Sequence, residues 1–70
     1  MNQDIPKETY IGIVEFTIDA MTKLAKEEPA YDLALDLSYY YDRTIKKEGV
    51  LTKEEFLNIC KKMGVTIKTN

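Results

Sequence analysis

Between Pro6 and Glu28 the polar positions Glu8, Gly12, Glu15, Asp19, Thr22/Lys23 and Lys26 recur at alternating spacings of four and three, the period of one face of an α-helix. The opposite face is centred on Ile11, Val14, Ile18, Met21 and Ala25 and flanked by Tyr10, Ile13, Phe16 and Leu24. So wide an apolar arc predicts a central core helix over 6–28. Acids early (Glu8, Glu15) and lysines late (Lys23, Lys26) suit the helix dipole, and Asp19 stands four residues before Lys23 in the favourable order. Gly12 costs about 1 kcal/mol relative to alanine inside a helix. Its presence suggests a loosened first turn or, as the alternative, a close approach by another helix.

Glu27-Glu28-Pro29 predicts the end of this helix, because the residue before proline avoids the α region. Pro29 suits the first position of a second helix, expected over 29–47. Its apolar seam reads Ala30, Leu33/Ala34, Leu37, Tyr40/Tyr41 and Ile45, and its polar stripe Asp32, Asp36, Tyr39, Arg43 and Lys46, with Leu35 on a flank. Gly49 then turns the chain. Thr52 followed by Glu55 is a capping box, and Leu51 and Phe56 occupy the two positions of a hydrophobic staple in the same register. Thr52 is therefore the expected N-cap of a third helix over 52–63, with Phe56, Ile59, Cys60 and Met63 inward. Gly64 suits the left-handed position after its end, with Val65 folding back on Cys60. The expected fold is all-α: one compact three-helix domain over 1–70, with an angled helix-turn-helix between helices two and three, and with residues 1–5 and 66–70 frayed.

Composition narrows the chemistry. The 70 residues contain no His, no Trp and one Cys, with 44% hydrophobic and 31% charged residues. That is the balance of a globular domain, too small for a deep active-site cavity. A lone Cys60 without a histidine to activate it reads as a small core residue. The acid pairs Asp32/Asp36 and Glu54/Glu55 fall on solvent faces, where carboxylates are not tuned for acid–base work. No catalytic residue, metal ligand or cofactor site is expected. A single cysteine and an N-terminus without a basic and apolar leader point to the cytoplasm. No apolar run approaches the length of a membrane span.

In 44–55, Gly49, Leu51 and Glu55 match positions 6, 8 and 12 of a calcium loop, but Thr44 and Lys46 stand where the ion needs carboxylates. A degenerate calcium loop is the remote alternative. The segment ending at Gly64 is similar to the first helix of a DNA-reading helix-turn-helix, which makes a DNA-associated regulator with a truncated motif the second alternative. The net charge of −2 opposes nucleic acid, the basic group Lys61, Lys62 and Lys68 apart.

Three consecutive tyrosines, Tyr39 to Tyr41, span about 200° of a helix and cannot all point inward. Periodicity exposes Tyr39, with Arg43 four residues on and able to stack over its ring. Tyrosine beside arginine is the usual composition of an interface hot spot. The candidate protein-interaction residues are Leu35, Asp36, Tyr39, Arg43, Tyr10 and Ile13. The expected role is a small non-catalytic interaction or regulatory module of the size found in bacteria, phages and mobile elements. Its expected partner is another protein or the chain itself, with the homodimer favoured.

Overall fold

Helix α1 occupies Lys7–Glu27, one residue inside each expected boundary. A computed structural model describes residues 5–65; the remaining positions expected to fray, 1–4 and 66–70, lie outside the described residues. Ile5 precedes the helix and is exposed, and Pro6 occupies the N-cap position without a side-chain bond. Helix α2 covers Leu33–Tyr40, a π-helical turn Tyr41–Ile45, helix α3 Lys46–Glu48 and helix α4 Lys53–Lys62. Backbone angles at Tyr40, Tyr41, Ile45 and Lys46 are all right-handed helical, so 33–48 is one continuous rod and the fold has three helical segments. Among the described residues there is no strand.

Helix two begins four residues later than proline placement suggested. Glu28 is extended (φ −117°, ψ 102°), as a residue before proline prefers, and the Tyr31 amide closes a turn on the Glu28 carbonyl at 3.0 Å. Asp32 is the cap: its carboxylate accepts from the Leu35 amide at 3.1 Å. A side chain that satisfies an orphan donor prevails over a residue that merely tolerates the first turn. Tyr31 and Asp36, flanking this cap, meet through a hydroxyl-to-carboxylate hydrogen bond. Ala30, expected in the seam, is exposed in the turn.

The π turn was not expected. Its mark is the Lys46 amide bonding to the Tyr41 carbonyl, five residues back. Leu37 and Ile45 are eight residues apart, which in a regular α-helix sets them about 80° out of line. Both are nevertheless fully buried, and the wider turn between them restores the alignment.

Helix α4 follows its local signals. The Glu55 amide donates to Thr52 Oγ1 at 3.1 Å and the Thr52 amide to Glu55 Oε1 at 2.9 Å, completing the capping box. At the other end, the Val65 amide reaches the Cys60 carbonyl at 2.9 Å and the Gly64 amide the Lys61 carbonyl at 3.0 Å, with Gly64 at φ +81°. Those two bonds are a Schellman ending.

The core is formed by Tyr10, Val14 and Ile18 from α1, Leu37 and Ile45 from the second rod, and Leu51, Phe56, Ile59, Cys60 and Val65 around α4. Phe56 stacks against the rings of Tyr40 (centroids 6.0 Å, edge-on) and Tyr41 (5.6 Å). Tyr39 therefore points away, as the three-tyrosine argument requires. Ile11 and Met21 pack only partly buried against this core. Gly12 is exposed and a Cβ there would touch nothing within 4 Å among the described residues, so no described helix approaches it.

Candidate interaction surface

Helix α1 has three faces about 120° apart. Tyr10, Val14 and Ile18 define the buried one. The second carries Glu8, Glu15, Asp19, Lys23 and Lys26, with Lys23 Nζ 3.2 Å from Asp19 and Lys62 Nζ 3.3 Å from Glu15. The third is apolar and uncovered: Ile13, Phe16, Ala20 and Leu24 are exposed, Phe16 at 76%, with Thr17 partly exposed between them. Thr17 Oγ1 donates to the Ile13 carbonyl at 3.0 Å, so this face presents its methyl without an unmet hydroxyl.

Of the candidate residues read from the sequence, Ile13 lies on this third face. Leu35 and Tyr39 are exposed large hydrophobics on α2, and the Arg43 guanidinium sits 4.7 Å from the centre of the Tyr39 ring. Those three form a second outward patch. Asp36 is half-buried and accepts from Tyr31. Tyr10 is a correction: it is only 8% exposed, because its ring falls on the core side of α1 and its hydroxyl donates to Glu48 at the end of α3. Phe16 and Leu24 were read as a flank of the core line without being named as interaction residues, and Ala20 was missed. The available signal was that Ile13, Phe16, Ala20 and Leu24 keep a three-four-four spacing of their own, separate from the core line.

Electrostatics follow the packing. Burial, then the bond to Glu48, holds the Tyr10 hydroxyl well above its usual ionisation range, with the Glu48 and Tyr40 charges adding to it. Burial and the bond to Asp36 push Tyr31 up to about 12, and burial pushes the Cys60 thiol up to about 11. Lys7, whose ammonium lies 2.7 Å from Glu55, and the Thr52 amide hold the Glu55 carboxyl below its ordinary value. Among the described residues no three His, Cys, Asp or Glu side chains converge as a metal site would require. Residues 44–48, the first half of the compared calcium loop, are helical, and Glu55 is engaged by Lys7 and Thr52. Lys68, of the basic group, lies outside the described residues. No described helix is long and apolar enough to cross a membrane. Compared with known proteins, the chain matches no family model, no curated protein and no solved structure.

Proposed function

We propose that this chain is a small cytoplasmic interaction or regulatory module that works by binding a protein through exposed helical faces, without catalysis. The observation that carries the reading is the row Ile13, Phe16, Ala20 and Leu24, left open on a helix that already gives a separate face to the core. Single exposed apolar side chains are ordinary, but a row at helical spacing is the form in which helices pair or enter grooves. The Leu35–Tyr39–Arg43 patch adds a second surface of hot-spot composition. Affinity capture from the native cell tests this reading. A protein held by the wild type should be lost from Phe16→Ser and Leu24→Ser variants whose circular dichroism melts are unchanged. Equal recovery with wild type and variants rejects it.

A further inference from the structure

We propose that the open face of α1 takes a second copy of this chain, in an antiparallel helix pair related by a two-fold axis. The inference rests on the interaction-module reading and commits it to one occupant. Ile13, Thr17, Ala20 and Leu24 are spaced four-three-four, a pattern that reads the same in both directions. Reversed about the midpoint between Ile18 and Asp19, Ile13 of one copy meets Leu24 of the other and Thr17 meets Ala20. Large apolar residues thus close the two ends while small ones in the middle let the axes approach, and all four positions are at least partly exposed in the single chain.

The charges agree with the same register. Phe16 and Lys23 share one edge of the open face, and in an antiparallel pair that edge lies against itself. Lys23 of one copy then falls within about 3 Å, along the axis, of the level of Phe16 in the other. The most exposed ring in the described chain thereby gains a lysine stem and ammonium on its face, twice by symmetry. Glu27 and Glu28 come level with the first turn of the partner α1, the positive end of its dipole, and the two dipoles run in opposite senses. A net charge of −2 per copy opposes the pairing little. The four-residue seam is about 16 Å long. It falls at the small end of specific interfaces, so the expected association is reversible, with a dissociation constant on the order of 10–100 µM.

Sedimentation equilibrium of the purified chain at increasing concentration should move the mass from 8.1 kDa toward twice that value. Ala20→Arg, at an exposed position, should keep the helical melt and abolish the rise, and Phe16→Ala should weaken it about fivefold. A constant 8.1 kDa mass to several hundred micromolar overturns the proposal.

Register is tested by disulfide capture with oxidised glutathione. Ile13→Cys mixed with Leu24→Cys should give a cross-linked heterodimer, while each alone should not, its own sulfurs lying about 16 Å apart along the axis against the roughly 7 Å limit between bridged Cα atoms. Self-cross-linking of each single variant at the rate of the mixture overturns the antiparallel arrangement. A monomer that still captures a partner through Phe16 rejects the second copy alone, whereas loss of both rejects the interaction reading as well.

Discussion

Thr52 and Glu55 satisfy one another's backbone amides, and both bonds lie within four residues of chain. Thr52→Ala leaves the Glu55 amide without a side-chain acceptor and should lower stability by about 0.5–2 kcal/mol, read from a thermal or urea melt. An unchanged melt would mean the cap contributes nothing. The Schellman pair at Gly64 and Val65 is local in the same way, so the sequence announced the start and the end of α4 directly. Tyr10 was read as a flank although it stands four residues before Val14 and eight before Ile18 on the buried line; only its contact with Glu48, 38 positions away, is beyond any local spacing. Titration is also a residue-scale matter. Cys60 and Tyr31 ionise at about 11 and 12 in the fold against ordinary values of 9.0 and 10.0, and Tyr10 is raised too. Groups raised in this way stabilise fully below their unfolded values and lose that contribution as pH rises through the folded ones. The melting temperature should therefore hold up to about pH 9 and fall between pH 9 and 12, and Tyr31→Phe should flatten the upper part of the fall. A wild-type melting temperature constant through pH 12 would contradict it.

Helices α1 and α4 were legible because their apolar periods are regular and their ends are marked locally, α1 by Pro6 and Pro29 and α4 by the Thr52 capping box and Gly64. The second rod was legible only in outline. Pro29 was read as its beginning and Asp32 only as part of its polar stripe, whereas the structure makes Asp32 the cap by the bond to Leu35. The π turn has no sequence mark beyond the eight-residue gap between Leu37 and Ile45, and its cause is the demand that both reach one core. A π turn behaves as one residue too many in an α-helix. Deleting exposed Asp42 would bring Leu37 and Ile45 to a seven-residue spacing, which a regular α-helix aligns within about 20°. The shortened chain should fold with a stability within about 1 kcal/mol of the original, against the several kcal/mol expected if the rod were misaligned and a core side chain withdrawn. Circular dichroism melts of the two chains check this.

At the scale of the whole molecule, one cluster of buried side chains holds three helical segments, and Phe56 is the largest of those fully buried. A domain of this size has on the order of 4–10 kcal/mol of total stability. Phe56→Ala, expected to remove about 3–5 kcal/mol, should leave a chain that no longer unfolds cooperatively near 37 °C, whereas a sharp melt at the original temperature would place the core elsewhere. The open face of α1 was half legible: Ile13, Phe16 and Leu24 stood out as an apolar flank wider than two short helices can cover, whereas Ala20 as a member and Tyr10 as a core residue emerged only from the structure. The polar links between segments carry a consequence in time. Lys7–Glu55, Tyr10–Glu48 and Lys62–Glu15 bridge 48, 38 and 47 positions. Isolated turns of helix form in well under a microsecond, but α1 can meet α4 only after a loop of some forty residues has closed. Docking of α1 is therefore expected to be the slow step of folding, and stopped-flow refolding rates should respond to changes in the 28–32 connection far more than to changes in the Thr52 cap.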